Sequence, residues 1–200
     1  VLTFWLFAQS MINIIPAMQK DMDINLSTLN IATSVTALFS GLFIVVGGGI
    51  ADRSGRKKMT YLGLVLSIVG SLLVTISFSS VILIIGRAIQ GISAALIMPA
   101  TLSLIKTAFN ETERQRALSY WSFGSWGGGG IATLAGGFIA TYLGWKWIFV
   151  FSIAVALISM WILRDITESK AETESKEKFD YGGFGIFVIA LIGANLLITQ

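Results

Sequence analysis

The chain has 200 residues, 54% of them hydrophobic and only 12% charged, and its mean hydropathy is +0.79. A soluble domain is roughly half apolar and a quarter charged, so this composition excludes one and points to a chain that lives among lipids. The net charge of +3 comes from Lys and Arg in short loops between apolar runs, which fits a lipid bilayer surface and no nucleic acid; the absence of cysteine removes disulfides and thiolate metal sites.

A membrane-crossing helix needs about 20 mostly apolar residues. The candidate spans, in order, are 1–18, 28–50, 59–78, 81–105, 118–142, 147–163 and 181 onward. All should be helices, because hydrocarbon offers backbone groups no partners and the runs are too long and too continuously apolar for barrel strands. The expected fold class is all-α, a polytopic membrane protein. Val1 is no natural start and the last apolar run has no polar flank, so the chain is expected to be cut at both ends. The first run lacks a small-residue cleavage pattern and does not read as a signal peptide.

In the first span, Trp5, Gln9 and Asn13 recur every four residues and share one helix face just before Pro16. Gln9 and Asn13 are expected to bond the intramembrane Arg87, and Trp5 to stack on a cationic or aromatic substrate; an inter-helix polar contact is the alternative. Between the second and third spans lies Gly48-Gly-Ile-Ala-Asp52-Arg53-Ser-Gly55-Arg56-Lys57-Lys58, a dense charge cluster that reads as a tight hairpin. Here Gly48 should let the helix end approach a neighbour, Asp52 pair with a helix N-terminus or a cation, and Gly55 supply a left-handed turn. The basic residues should hold the loop on the cytoplasmic side.

The spacing Gly-x-x-x-Asp-Arg-x-Gly-Arg-Lys resembles the loop signature of the major facilitator superfamily between its second and third helices. Arg87, within Gly86-Arg87-Ala-Ile-Gln90-Gly91, lies well inside the fourth span, where a charge costs at least about 2.5–3.5 kcal/mol. It resembles that family's second motif, which associates this Arg, with Gln90 and Gly91, with proton coupling; tying helices together through carbonyls is the alternative.

Asn110-Glu-Thr-Glu113 has the pattern of a capping box opening the fifth helix. That helix carries Gly124, Gly128, Ala132, Gly136 and Ala140 at four-residue intervals, a small-residue stripe for close helix approach. The stripe, with Gly137, resembles the fifth-helix gate motif of drug antiporters, except that Ala132-Thr133 stands where the motif has Gly-Pro; simple packing is the alternative. Gly144-Trp145-Lys146-Trp147-Ile-Phe149 is expected to anchor two Trp at the outer interface. Residues 164–180 mix both charge signs and read as a solvated cytoplasmic linker.

Counting Lys and Arg by loop puts the turns after the second, fourth and sixth spans in the cytoplasm, with only Lys20 and Lys146 on the other side. Lys178-Phe-Asp180-x-x-Gly183 is similar to the fourteen-helix drug/proton antiporter branch, as are Arg114-Gln-Arg116-Ala-Leu-Ser-Tyr120-Trp121-Ser and Gly124-Ser-Trp126. The resemblance implies a six-helix N-terminal half at 1–163, a linker at 164–180 and the start of a seventh helix at 181–200, with the C-terminal half of the same chain as partner. It implies a switch role for Gly48, Asp52, Arg53, Gly55, Arg56 and Lys57, and a small-molecule cavity lined by Trp5, Gln9, Asn13, Met98, Tyr120, Trp121 and Trp126. Proton-driven export of amphipathic drugs is the implied function, with the proton as coupling ion and no other cofactor. Transport of a natural metabolite and a non-transporting membrane scaffold are the alternatives. An intramembrane enzyme fits poorly, since the spans offer no histidine, cysteine or embedded carboxylate.

Overall fold

The computed structural model describes residues 6, 8, 10–170 and 181–199. The described elements are helices, α1 (Met11–Met22), α2 (Leu26–Ser54), α3 (Arg56–Thr75), α4 (Ser80–Ala108), α5 (Glu111–Tyr142), α6 (Lys146–Leu163) and α7 (Tyr181–Thr199). Most overrun their apolar runs into polar ends, α5 most of all, since it begins at Glu111 and not at 118; α3 alone stops short, at Thr75. By length and composition α2, α3, α4 and α6 can each cross a membrane. At 32 residues α5 is about 48 Å long, but glycines and first-turn acids dilute its apolar content.

Local chemistry sets the starts. Asn25 Oδ1 accepts from Thr28 N at 2.9 Å and opens α2, and Ser79 Oγ accepts from Ile82 N at 3.4 Å and opens α4. Asn110 holds the N-cap position of α5, yet its side chain accepts nothing from the helix, so the expected capping box is not formed. Its backbone carbonyl instead takes Arg114 N at 2.7 Å, while Glu111 and Glu113 face the positive end of the helix dipole.

The central helix is α4, packed along both α2 and α3, with α6 against α3 and α1 against α5. Small residues make this possible, since lipid-embedded helices gain most where backbones come close. A Cβ on Gly91 would stand 2.6 Å from the Thr36 carbonyl oxygen of α2, and one on Gly47 2.6 Å from the Ala95 oxygen of α4. The close approach expected at Gly48 thus belongs to Gly47; Gly48 has ordinary room beside Pro99, whose Cβ is 3.5 Å away. Across the α3–α4 contact Gly70 and Gly86 meet backbone to backbone, which lets side chains of α4 reach α3.

The largest core cluster joins α1, α2, α3, α4 and α6 through Met11, Ile14, Met18, Leu29, Val74, Leu83, Ile148 and Phe149. Trp145 belongs to it at 4% exposure, against the expectation of an interface anchor, because its indole N–H donates to Asp21 Oδ2 at 3.0 Å and its ring meets Phe149 edge-on. Trp147 is the exposed member of the pair. Asp21 also pairs with Lys146 at 3.6 Å, so this end of the bundle is fastened by one carboxylate. Gly91→Val is expected to lower stability by about 1–3 kcal/mol through overpacking against α2. Gly124→Ala, on a helix with nothing within 4 Å of the new methyl, should be neutral or slightly stabilising. Thermal unfolding of both variants in detergent checks the contrast, and equal losses would refute the assigned packing.

Candidate functional site

Arg87 is fully buried in α4 with 0% exposure. Its Nη1 donates to Gln90 Oε1 at 2.9 Å, one turn along the same helix, and its Nε reaches the Ala32 carbonyl of α2 at 3.4 Å. Gln90 passes the contact on, donating from Nε2 to Ser71 Oγ of α3 at 3.1 Å. Thr36 Oγ1 of α2 donates to the Arg87 carbonyl at 3.1 Å, beside the Gly91 crossing. A buried charge is thereby tied through α4 to both neighbouring helices, by groups that satisfy its donors. Arg87, Gln90 and Gly91 form one unit, as the sequence grouped them. Its other members, Ala32, Thr36 and Ser71, were missed, although Thr36 and Ser71 are hydroxyls inside apolar runs and carried a signal.

Asn13 does not join this unit. It lies exposed on α1, and its Nδ2 donates to the Thr133 carbonyl of α5 at 3.1 Å, because the small residues of α5 draw α1 toward that helix. Ser10 Oγ makes the parallel bond to the Ala132 carbonyl at 3.0 Å, over a Gly136 with no room for a side chain. The stripe residues Gly128, Ala132 and Gly136 are buried, whereas added methyls on Gly124 and Gly137 would meet nothing within 4 Å. Gln9 and Trp5 lie outside the described residues.

The α2–α3 hairpin turns on one residue. Gly55 has φ +116° and ψ 128°, a positive-φ extended conformation open almost solely to glycine rather than the left-handed helical one expected, and its N–H closes α2 on the Ala51 carbonyl at 3.0 Å. Across this turn Asp52 Oδ1 accepts from Arg56 Nε at 2.8 Å, so the cation is the partner Asp52 takes. Arg53 is exposed.

Beyond α6 the described residues 164–170 reach this hairpin while most of them stay exposed. The Glu168 carboxylate caps α3, accepting from Lys57 N and Lys58 N at 2.9 Å each, and Arg56 N donates to the Ser169 carbonyl at 3.0 Å. In return Lys57 Nζ donates to the Arg164 and Ile166 carbonyls at 2.8 and 2.6 Å, neutralising the C-terminal end of α6. A Cβ on Gly55 would stand 2.8 Å from Glu168 Cδ, so the glycine serves the docking as well as the turn. Residues 171–180, with the Lys178 and Asp180 motif, lie outside the described residues.

The proposed cavity residues divide. Trp121 packs toward α4, its Nε1 donating to Thr101 Oγ1 at 3.3 Å near Met98. Tyr120 and Trp126 project away, at 72% and 82% exposure, because one and five positions from Trp121 turn them about 100° and 140° round the helix.

Comparison with known proteins fits this arrangement. The chain is 52% identical over all its residues to the quinolone resistance protein NorB of Staphylococcus aureus strains Newman and COL, and it spans 43% of the length of those relatives. A solved structure of the POT family transporter PepTSo superposes with a TM-score of 0.72 at 20% identity, covering 96% of this chain and 44% of that one, which shows a shared fold. The family model described as Major Facilitator Superfamily matches residues 1–198. The chain therefore belongs to the Major Facilitator Superfamily, as a multi-pass membrane protein of a family of transporters, not enzymes.

Proposed function

We propose that the full-length protein is a secondary active transporter of the cell membrane that exports amphipathic drugs, quinolones among them, in exchange for protons. The observation that carries this reading is the 52% identity, over every residue of the chain, to a protein named for quinolone resistance. Residues 1–163 are read as a six-helix half of two three-helix repeats, 164–180 as the linker, and 181–200 as the start of the helix pair leading to the C-terminal half. The end that carries Arg53, Arg56, Lys57, Lys58, Lys106, Arg114, Arg116, Arg164 and Lys170 faces the cytoplasm, because basic loops are retained there.

In this reading the hairpin of Gly48, Asp52, Arg53, Gly55, Arg56 and Lys57 is the switch that holds the cytoplasmic end while the two halves rock about a central cavity. Arg87 with Gln90 and Gly91 senses the coupling event. Arginine keeps its proton at working pH, so the proton carrier is assigned to a carboxylate of the C-terminal half. The stripe of Gly124, Gly128, Ala132, Gly136 and Gly137 serves the outer gate. Trp5, Gln9, Asn13, Met98, Tyr120, Trp121 and Trp126 offer aromatic and adaptable apolar contact to substrate. Carriage of an endogenous metabolite is the second reading, favoured by Ala132-Thr133 in place of Gly-Pro.

Cells that express the full-length protein are expected to accumulate less quinolone than cells without it, and a protonophore should abolish the difference. Equal accumulation of quinolones and amphipathic cations would assign the fold a metabolite cargo. Arg87→Lys should slow export at least about tenfold, since one charge-assisted bond is worth about 1.5–3 kcal/mol. Unchanged export by this variant in vesicles would remove Arg87 from coupling. Glu168→Ala is expected to cost about 1 kcal/mol of thermal stability by uncapping α3, and an unaltered unfolding temperature would deny the docking of the segment after α6.

A further inference from the structure

At the end of the bundle that carries the hairpin, a cavity of about 770 Å³ opens between α3, α4, α5 and the segment after α6. Its charged lining is four cations, Arg56, Lys106, Arg114 and Lys170, and one carboxylate, Glu168. Two of these charges are already engaged. Arg56 is paired with Asp52 at 2.8 Å, and the Glu168 oxygens accept from the backbone N–H groups of Lys57, Lys58 and Ser169. Among the described residues no carboxylate pairs with Lys106, Arg114 or Lys170.

Arg114 is only partly engaged. Its Nη2 makes a long bond to the Phe109 carbonyl at 3.3 Å, while its Nε–H is buried without a partner. Cations around one space repel each other, so a cavity whose Lys106, Arg114 and Lys170 meet no carboxylate among the described residues favours an anion from outside them. Phosphate suits it better than a carboxylate. Its several oxygens accept the planar fork of Arg114 and two lysines together. Thr107 and Ser169 stand 3.2 Å apart on the same wall, and with Thr107 Oγ1 also 3.1 Å from the Ser103 and Leu104 carbonyls the pair has at most one hydroxyl proton left to donate. The cavity also lies at the first turns of α3 and α5 and the last turn of α4, level with the edge of the apolar spans where lipid headgroups sit.

We propose that this cavity binds a phosphate group, carried either by an anionic lipid headgroup at the bilayer surface or by soluble phosphate. The proposal stands whichever way the chain is oriented and whatever it transports. It is tested on the full-length transporter in detergent, by following the unfolding temperature during titration with phosphatidylglycerol, phosphatidylcholine or inorganic phosphate. Stabilisation of the wild type is expected at a concentration at least about tenfold below that needed by Lys106→Gln/Arg114→Gln/Lys170→Gln. Lys20→Gln, at the opposite end, should behave as wild type. A response to phosphatidylglycerol alone identifies the lipid as the source, and full stabilisation by inorganic phosphate identifies the soluble anion. Arg114→Lys keeps the charge and removes the planar fork, so it should fall between wild type and the triple variant even if the latter folds poorly. Equal responses of wild type and Arg114→Lys, or of wild type and a folded triple variant, to every probe would overturn the proposal.

Discussion

A permanently charged guanidinium sits in the middle of an apolar bundle, and the arrangement of α2, α3 and α4 follows from having to satisfy it. Placing Arg at the centre of a membrane helix costs at least about 2.5–3.5 kcal/mol, and each hydrogen bond to a charged group returns about 1.5–3 kcal/mol. Two such bonds decide whether the residue is tolerated. Arg87 finds them only because Gly91 brings α2 within reach and the Gly70–Gly86 contact brings α3 alongside, so that Gln90 can bridge to Ser71. Helix proximity and charge satisfaction are one constraint here: larger residues at the crossings would separate the backbones and strand the charge.

The two ends of the bundle complete what the centre begins. At one end Asp21 of α1 holds Trp145 and Lys146 at the start of α6. At the other, Glu168 and Lys57 exchange charges between the amide end of α3 and the carbonyl end of α6, each opposing the local helix dipole. Both fastenings join the first three helices to the second three. A bundle bound at its centre and at both ends is suited to move as one rigid body, as the proposed rocking of two halves would require.

Much of this was legible in the residues. Apolar run lengths gave the helices, and the spaced glycines and charges gave the hairpin, with a cation as one of two partners open to Asp52. Where the reading failed, the determining contact was remote in sequence. Nothing in the run after α6 marks Glu168 as a cap for a helix more than a hundred residues earlier, so only the solvated character of that stretch was legible and not its contact with α3. Trp145 looked like an interface residue until Asp21, on another helix, supplied a buried partner for its N–H. Asn13 followed the four-residue period toward Arg87, but α5 also packs on α1 and gives Asn13 the Thr133 carbonyl instead. Side-chain spacing reports one helix face; it does not say which neighbour that face meets.

The central claim is that Arg87 and Gln90 form one coupled unit that holds α4 to its neighbours. A double-mutant cycle of Arg87→Met and Gln90→Leu, read as unfolding free energy of the full-length protein in detergent, measures that coupling directly. The account predicts an interaction energy of about 0.5–3 kcal/mol between the two positions. Losses that add to within about 0.3 kcal/mol would contradict it and show that the Arg87–Gln90 contact does not hold α4 to its neighbours.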